Sequence, residues 1–296
     1  MTTSAAEKRR RLAALIRGDG FVTAPGIFDM ISARVADRIG FDCLYMTGFG
    51  TVASLLGLPD AGLATFSQMV ERVAAFAGGT ATPLVADADT GYGGLLNVAH
   101  TVRGYEAAGA AGIQLEDQEF PKKCGHTPGR RVIPMADMVR KIRVAADARS
   151  DADFLIVART DARSSLGLDE ALRRSEAYLE AGADILFVES PESEGEMETI
   201  GRRLAAPLLA NMVEGGRTPV LPPDRLKAIG YRMAIYPGSG FMATAAALEG
   251  IYGALKANGT TTGAATPLLA FSEMTKLMGF EDVWAFERRW AETPAA

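Results

Sequence analysis

The feature that most constrains the fold of this chain is the repeated alternation of a short apolar run with a helical pattern. Eight such runs, rich in β-branched and aliphatic residues, start at Phe21, Phe41, Thr82, Ala110, Asp153, Ala183, Pro207 and Tyr231. Helical patterns follow them in residues 30–38, 66–76, 97–108, 135–148, 169–181, 194–204, 225–228 and 242–256. The runs are mostly apolar at successive positions, which is typical of parallel strands buried on both faces. The sequence therefore predicts an α/β fold, a closed (β/α)₈ TIM-like barrel.

Composition and charge exclude several classes of function. The formal net charge of −5 argues against nucleic acid as a partner, and no apolar run reaches the ~18 residues of a membrane helix. The two cysteines cannot build a disulfide framework, and the N-terminal segment lacks the apolar stretch of a secretory signal. We therefore expect a cytoplasmic enzyme with a small-molecule substrate and no nucleic-acid or membrane partner.

No linker rich in Pro, Gly or Ser divides the chain. We assign residues 1–258 to the barrel with an N-terminal helix, and 259–296 to a C-terminal helical arm. The helix at residues 4–17 carries a basic run that we expect to face solvent. The arm repeats apolar residues at helical spacing: Phe271, Met274, Leu277, Met278, Phe280, Trp284, Phe286 and Trp290. This apolar face packs either on its own barrel or on a neighbouring subunit, and spacing alone leaves both open.

Polar side chains stand where the predicted strands end, which is the face of such a barrel that carries its chemistry. They are Thr47, Asp87, Asp89, Glu116, Asp117, Arg159, Asp161, Glu189, Asn211, Glu214 and Ser239. Helix capping explains one or two of them, but not a ring that converges on one mouth. Because the ring is mainly acidic, we expect a positive charge among the carboxylates.

Asp87 and Asp89 give the strongest indication of a site within this ring. Alternation along a strand places both side chains on one face, about 7 Å apart along the backbone. Asp60 and Glu116 would complete an oxygen-rich pocket. Carboxylates without His or Cys partners favour Mg²⁺, or Mn²⁺, over zinc. The alternative is that the two aspartates only order the Gly-rich turn that follows them.

A second cluster is the KKCGH segment at residues 122–126, in a loop flanked by proline and glycine. Neighbouring ammonium and imidazole groups make a thiol more reactive. The segment could be part of a zinc site, although further ligands are scarce, or an exposed basic loop with an incidental cysteine. The flanking residues favour a third interpretation, a lid that brings a proton donor over the barrel mouth. Cys43, inside an apolar run, is expected in the core.

Residues 48–53 (GFGTVA) imitate the dinucleotide-binding fingerprint that follows a strand. Gly57 and Pro59 interrupt the helix that such a motif opens, and no acidic residue follows at the required distance. We therefore interpret the segment as a small-residue loop whose backbone N–H groups admit a substrate carboxylate.

Six stretches together resemble the isocitrate lyase and phosphoenolpyruvate mutase superfamily over residues 10–260. They are GLPD (57–60), DADTGYGG (87–94), QLED (114–117), KKCGH (122–126), ARTDA (158–162) and ANMVEGG (210–216). The resemblance implies a barrel with Mg²⁺ that assembles as a homotetramer, a dimer of dimers with exchanged C-terminal helices. It implies that Asp87 binds the metal, with Asp60, Asp89 and Glu116 acting largely through water. KKCGH indicates the lyase branch, with Cys124 as general acid.

The resemblance also implies the other site residues. Thr47, Gly48, Arg159 and Asn211 would hold the 2-oxo-acid end of the substrate. The whole predicted substrate-binding set is Tyr45, Thr47, Gly48, Phe49, Asp60, Arg159, Asn211, Pro237 and Ser239. The predicted catalytic set is Lys122, Cys124, His126, Arg159 and Glu189. Either Glu189 or a metal-bound water would take the hydroxyl proton.

The stretch after the eighth strand bears on the substrate. Tricarboxylate-cleaving members such as methylisocitrate lyase use an arginine there, and Met242 stands at the matching position. A buried third carboxylate without a cationic partner is costly. The resemblance therefore favours retro-Claisen cleavage of a substituted malate, similar to 2,3-dimethylmalate, to a 2-oxo acid and a monocarboxylate. Oxaloacetate hydrolysis, methylisocitrate cleavage and a non-catalytic barrel that binds 2-oxo acids are the alternatives.

Overall fold

Eight parallel strands close into a barrel in the computed structural model, which describes residues 3–125 and 129–291. The strands follow one another around the barrel in sequence order, and the first pairs with the eighth. They are β1 Val22–Ile27, β2 Leu44–Met46, β3 Leu84–Asp87, β4 Gly112–Glu116, β5 Leu155–Thr160, β6 Ile185–Val188, β7 Leu208–Asn211 and β8 Tyr231–Tyr236. The predicted TIM-like barrel is confirmed.

The helices predicted from apolar periodicity are all present. Those described are α1 Ala5–Arg17, α2 Met30–Ile39, α3 Gly48–Leu56, α4 Phe66–Gly79, α5 Leu95–Ala107, α6 Met135–Ala148, α7 Ala162–Leu166, α8 Leu168–Glu180, α9 Glu194–Arg203, α10 Pro223–Ala228, α11 Ser239–Asn258, α12 Phe271–Leu277 and α13 Phe280–Trp290. Of these, α3 and α7 have no counterpart among the predicted helices. Within the described part of the chain, none of the helices has the length and apolar character to cross a bilayer.

The described residues divide into two compact units, one ending at Phe241 and the other beginning at Met242. The first contains the barrel, and the second contains most of α11 together with α12 and α13. The helices predicted in the C-terminal arm are therefore present. Many large apolar side chains of the second unit are exposed, among them Phe271, Trp284, Phe286 and Trp290.

Alternation of side chains along the strands produces two separate apolar cores. Along β5, Leu155 and Val157 belong to the core inside the barrel, whereas Ile156 belongs to the core between strands and helices. Leu12 and Ile16 of α1 join the inner core, so α1 closes the amino-terminal end of the barrel. The opposite end, where the strands finish, is left for polar side chains.

The basic run of α1 does not face solvent throughout. Lys8 Nζ donates to Ala77 O over 2.7 Å and to Thr80 O over 2.5 Å, and Arg9 Nε donates to Ala110 O over 3.0 Å. These carbonyls follow or end α4 and α5, where a positive charge is favourable. The prediction of a solvated face was wrong for Lys8 and Arg9, because helical periodicity does not reveal which other helix ends lie beside α1.

Residues 48–56 form α3 where the sequence predicts a loop. Thr47 precedes the first turn, and Gly57 ends the helix by donating its N–H to Ala53 O over 2.9 Å. Gly57 has a φ of +63°, in the left-handed region that glycine adopts without strain. It therefore terminates a short helix instead of preventing one, and Gly48 lies at the helix N-terminus.

Candidate active site

Three neighbouring strands bring the first site residues together. Asp87 at the end of β3 pairs in register with Gln114 of β4, and Glu116 of β4 pairs with Arg159 of β5. Val85 lies in the inner core, so Asp87, two residues later, points into the barrel mouth. Gln114 Nε2 donates to Asp87 Oδ1 over 3.2 Å. Register and alternation alone thus gather these side chains at the carboxyl ends of the strands.

Lys122 supplies the positive charge that the acidic ring requires. Its Nζ lies 2.6 Å from Asp60 Oδ1 and 2.5 Å from Asp89 Oδ1. The three side chains are at most 8% exposed, so solvent screens these pairs little. Breaking one pair would leave a buried charge uncompensated, which is costly. Lys122 therefore fixes its loop against the strand ends.

Burial dominates the titration of the carboxyl groups at the mouth. It raises the pKa of Asp89 to about 7, against the opposing charge of Lys122, and it raises the pKa of Asp87. Burial also raises the pKa of Glu116 well above its usual value, although Arg159 and Lys122 favour the charged form. A cation at the mouth therefore lowers the cost of ionising these groups.

The donors at the mouth are carboxylate oxygens, which suit Mg²⁺, but they form no closed cage. Among residues 3–125 and 129–291, no three His, Cys, Asp or Glu side chains gather closely enough to chelate one ion. Asp87 Oδ2 faces Gly48, where an added Cβ would lie only 2.5 Å away. Glu116 Oε1 is buried without a hydrogen-bond partner. Since Mg²⁺ keeps several waters in proteins, these residues fit an ion bound directly by Asp87 and otherwise through water.

Arg159 lies at the centre of a group of carboxylates. Its Nε and NH2 each donate over 2.9 Å to the two oxygens of Asp161. NH1 is 3.4 Å from Glu116 and NH2 is 3.3 Å from Glu189. The guanidinium also lies over the Phe187 ring, 5.2 Å from its centroid. With one edge held by Asp161, the other N–H groups of Arg159 can pair with a substrate carboxylate.

Glu189, directly after β6, is fully buried beside Arg159. Asn211 Nδ2 donates to Glu189 Oε2 over 3.1 Å, and Ser190 Oγ lies 3.1 Å from Glu189 Oε1. Ser190 has a φ of +59°, an uncommon value for a residue with a side chain. Its hydroxyl is also 3.1 Å from Gly125 O. Ser190 therefore contacts both Glu189 and the loop above it.

The loop that carries KKCGH starts and ends at an antiparallel bridge between Gln118 and Val132. The Gln118 amide binds Lys123 twice, accepting from its N and donating to its O, both over 2.9 Å. Gly125 lies so close to the strand ends that an added Cβ would be 2.4 Å from Arg159 NH2. The described part of the loop thus packs onto the barrel mouth.

Cys124 lies between two contacts that hold this loop. Lys122 on one side is paired with Asp60 and Asp89, and Gly125 O on the other accepts a hydrogen bond from Ser190 Oγ over 3.1 Å. The thiol is half-buried. Cys124 therefore belongs to the part of the loop that packs onto the barrel mouth. His126, a member of the predicted catalytic set, lies outside the described residues.

Residues at the ends of β2 and in α3 border the same mouth. Tyr45 OH donates to Gln114 Oε1 over 2.7 Å, and burial raises the pKa of Tyr45 well above its usual value. Thr47 is buried ahead of α3. Phe49 is 43% exposed and packs against Phe241, with ring centroids 5.1 Å apart. The last pair offers an apolar surface next to the polar cluster.

Pro237 and Ser239 make their contacts elsewhere. Pro237 packs on Gly26, where an added Cβ would lie 2.5 Å from Pro237 Cα. Ser239 Oγ donates to Glu214 Oε1 over 2.5 Å. The polar contacts of the described residues do not link either one to Arg159. Their role in substrate binding stays a prediction.

Three residues of the cluster are absent from the predicted sets: Gln114, Ser190 and Arg130. Gln114 has a sequence signal, because it precedes Glu116 by two residues on an inward-facing strand. Ser190 Oγ contacts Gly125 O of the loop, 65 residues earlier in the sequence. Arg130 pairs with Asp161, 31 residues later. Local spacing gives no indication of such contacts.

Asp117 points away from the mouth, contrary to the prediction that it belongs to the ring. It accepts hydrogen bonds from Thr160 Oγ1, Arg174 NH1 and Tyr178 OH over 2.7 to 2.9 Å. Because Glu116 points inward, alternation turns Asp117 outward, toward α8. Asp117 therefore belongs to the packing of strands against helices.

Comparison with known proteins identifies relatives along nearly the whole chain. The family described as phosphoenolpyruvate phosphomutase matches residues 12–255. The 2,3-dimethylmalate lyase of Eubacterium barkeri is 48% identical over 281 residues, which cover 95% of this chain and 97% of that protein. The 2-methylisocitrate lyase of Aeropyrum pernix is 42% identical, over 95% of this chain and 89% of that protein.

Solved structures also resemble this one over nearly the whole chain. A complex of oxaloacetate acetylhydrolase with 3,3-difluorooxalacetate superposes with a TM-score of 0.92 at 34% identity, covering 98% of this chain and 99% of that chain. A complex of phosphonopyruvate hydrolase with oxalate and Mg²⁺ gives a TM-score of 0.87 at 30% identity, covering 99% and 100%. The shared fold thus occurs with a divalent metal in at least one relative.

Proposed function

Because the chain belongs to the phosphoenolpyruvate mutase and isocitrate lyase superfamily, we propose that it is a Mg²⁺-dependent carbon–carbon lyase acting on a substituted malate. The proposed reaction cleaves a 2-hydroxy diacid similar to 2,3-dimethylmalate to a 2-oxo acid, such as pyruvate, and a monocarboxylate. Relatives named as lyases support the reaction class. The observation that carries the proposal is the packing of the segment around Cys124 on the barrel mouth, where Lys122 pairs with Asp60 and Asp89 and Gly125 O accepts from Ser190 Oγ.

The proposed metal site uses the acidic residues of the mouth. Asp87 would bind Mg²⁺ directly, and Asp60, Asp89 and Glu116 would act through water. When bound, Mg²⁺ would stabilise negative charge on the 2-oxygen of the substrate and on the adjacent carboxylate. The absence of a side chain at Gly48 leaves room beside Asp87 for the backbone of α3 to approach a ligand.

The remaining groups would position the diacid. Arg159, fixed by Asp161, would pair with a substrate carboxylate through N–H groups that do not donate to Asp161. Thr47 and Gly48 at the α3 N-terminus, with Asn211, would hold the 2-oxo-acid end. Favourable interaction of an anion with a helix N-terminus supports this arrangement.

Two side chains of the site, Glu189 and Cys124, would accept and donate the protons of the reaction. Glu189, held by Asn211 and Ser190, takes the hydroxyl proton as the C2–C3 bond breaks. The electron pair of that bond passes to C3, giving an enediolate of the departing monoacid. The Cys124 thiol protonates C3, and the proton on Glu189 restores the thiol in the net reaction. For 2,3-dimethylmalate the products are pyruvate and propionate, with nothing else consumed.

Two observations favour the alkyl-substituted substrate. The relative with 48% identity is named for 2,3-dimethylmalate. Phe49, which is 43% exposed on the first turn of α3, forms an aromatic pair with the partly buried Phe241 at the start of α11, with 5.1 Å between centroids. Methyl groups on C2 or C3 would gain from such a surface, whereas a smaller diacid would leave it in water.

Hydrolysis of oxaloacetate to oxalate and acetate is the second candidate. The superposition on oxaloacetate acetylhydrolase, with a TM-score of 0.92, favours it. The same charged groups can bind a four-carbon 2-oxo diacid. Cleavage of methylisocitrate is a further alternative, supported by the 42% identical relative.

A panel of substrates separates these reactions. Purified protein with Mg²⁺ is assayed with 2,3-dimethylmalate, other substituted malates, methylisocitrate and oxaloacetate, and the released pyruvate or oxalate is measured. We expect the highest kcat/KM with a substituted malate, and none after chelation of the metal. Methylisocitrate or oxaloacetate as the best substrate would refute the proposed specificity.

We also propose that the protein is a homotetramer, a dimer of dimers whose C-terminal helices are exchanged. The apolar side chains exposed on the second unit, such as Phe271, Phe286 and Trp290, support a contact with another copy. Light scattering during gel filtration should give four times the mass of 31.3 kDa per chain. A monomer at micromolar concentration would exclude the exchange.

A further inference from the structure

Asp161 lies between two arginines, only one of which faces the mouth. It binds Arg159 through both carboxylate oxygens, over 2.9 Å each, and it accepts a further bond from Arg130 NH1 at Oδ1. The Asp161 side chain is fully buried, and that of Arg130 is 2% exposed. Arg130 NH2 donates to Ser164 Oγ over 2.6 Å, which fixes its own orientation. The three charges thus form a rigid buried row.

The carboxylates around Arg159 affect how strongly it can attract a further carboxylate. Arg159 is within 3.4 Å of carboxylate oxygens of Glu116, Asp161 and Glu189. A guanidinium that is surrounded by carboxylates attracts a fourth one weakly, and in a buried site this effect is large. Because Arg130 partly neutralises Asp161, the negative potential around Arg159 is weaker. Arg159 therefore attracts a ligand carboxylate more strongly than it would without Arg130.

We propose that Arg130 is a positioning residue that acts on Arg159 through Asp161, maintaining both its orientation and its attraction for a substrate carboxylate. The proposal rests on the proposed function only in taking Arg159 as the carboxylate-binding group. Arg130 lies six residues after Cys124, at the end of the loop that carries the thiol. One side chain would therefore connect the loop that carries Cys124 to the strand that carries Arg159.

Equilibrium binding of oxalate tests the proposal without turnover. Calorimetric titration with oxalate in saturating Mg²⁺ is carried out on the wild type, R130Q, R130K, D161N and the double variant R130Q/D161N. We expect R130Q to weaken oxalate about tenfold, a change of ~1.4 kcal/mol. R130K keeps the positive charge, but a lysine cannot bind both Asp161 and Ser164 as a guanidinium does. Its affinity for oxalate should therefore be about threefold weaker than that of the wild type. In the D161N background, R130Q should change the affinity less than about twofold.

A matched control removes a similar pair elsewhere. Arg149 NH1 lies 2.5 Å from Asp184 Oδ2, with side chains 19% and 17% exposed, between the end of α6 and the start of β6. R149Q should leave oxalate affinity unchanged even if it lowers the melting temperature. Thermal unfolding followed by circular dichroism establishes that each variant is folded. If R130Q does not fold, R130K replaces it in the cycle.

Each outcome decides the proposal. Wild-type affinity in R130Q, or in R130K where R130Q does not fold, overturns it. An R130Q effect of equal size in the D161N background also overturns it, because Arg130 would then act by another route. Failure of the proposed function is distinguishable: a protein that binds oxalate with the expected pattern but cleaves no malate refutes only the proposed reaction.

Discussion

Replacing Gly125 by alanine puts a methyl group where the strand ends leave no room. The added Cβ would lie 2.4 Å from Arg159 NH2 and 2.7 Å from Glu189 Oε2. Neither group can move aside freely, because Asp161 holds Arg159 by two bonds and Asn211 holds Glu189. Ordinary contact needs about 3.5 Å, so the loop must rise by about 1 Å.

In the proposed mechanism, that displacement would carry Cys124 away from the substrate carbon. A shift of about 1 Å at a reacting group can reduce turnover on the order of 10²-fold, and we expect this loss of kcat/KM in Gly125→Ala. Overpacking of this kind should also cost about 1–3 kcal/mol of stability, although Gly125 is not among the residues with positive φ. Oxalate affinity should fall less than turnover, since the carboxylate-binding groups stay on the strands.

Gly94→Ala is the matched control for this substitution. Gly94 precedes α5 with a φ of −81°, and its added Cβ meets no heavy atom within 4 Å. Pyruvate release from the best substrate of the panel, with circular dichroism melting curves, compares the two variants. Wild-type kcat/KM in Gly125→Ala would show that the loop does not act in the position described, and equal losses in both variants would show a general effect of glycine replacement.

Three further predictions concern the two cysteines and Asp161. Cys124→Ser should lower turnover about 10²–10⁴-fold and leave oxalate binding intact; full activity would remove the thiol from the mechanism. Burial raises the pKa of Cys43 to about 12, so a thiol reagent should find one reactive cysteine in the native protein, none in Cys124→Ser and two after unfolding of the wild type. Burial opposes ionisation of Asp161, but Arg159 and Arg130 outweigh it and lower its pKa below 3.8. Its ion pairs therefore stabilise the fold above that pH and are lost in more acidic solution, so urea unfolding should show Asp161→Asn losing its deficit only below about pH 4.

The barrel and the position of Asp87, Glu116 and Arg159 at its mouth could be predicted because both follow from local rules. Strand periodicity fixes which residues of β3, β4 and β5 point inward, and parallel register then places Asp87, Glu116 and Arg159 side by side. The resemblance carried by DADTGYGG and KKCGH is confirmed by the family match over residues 12–255. These conclusions need no knowledge of how distant segments pack.

Contacts made by the loop could not be predicted in the same way. That Lys122 lies between Asp60 and Asp89, and that Arg130 reaches Asp161, depends on the path of a long connection after β4. Spacing gives the types of residue in such a segment but not their partners. The buried Lys8 of α1 is a second example. A basic run in a helix predicts a solvent-facing surface, and only the structure reveals the carbonyls to which Lys8 donates.

In the proposed site, the charged groups at the strand ends would recognise features that several substrates share. Arg159 can pair with any carboxylate, and the oxygens around Asp87 suit an ion bound to any 2-oxygenated acid. A substituted malate, methylisocitrate and oxaloacetate all present these parts, so the polar cluster identifies a class of reaction and not one substrate. They differ in the groups on C2 and C3, and a methyl group in an apolar pocket is worth only about 1–3 kcal/mol. We therefore expect discrimination between malates that differ only in alkyl groups to depend on apolar side chains such as Phe49 and Phe241, which can change without disturbing the charged groups.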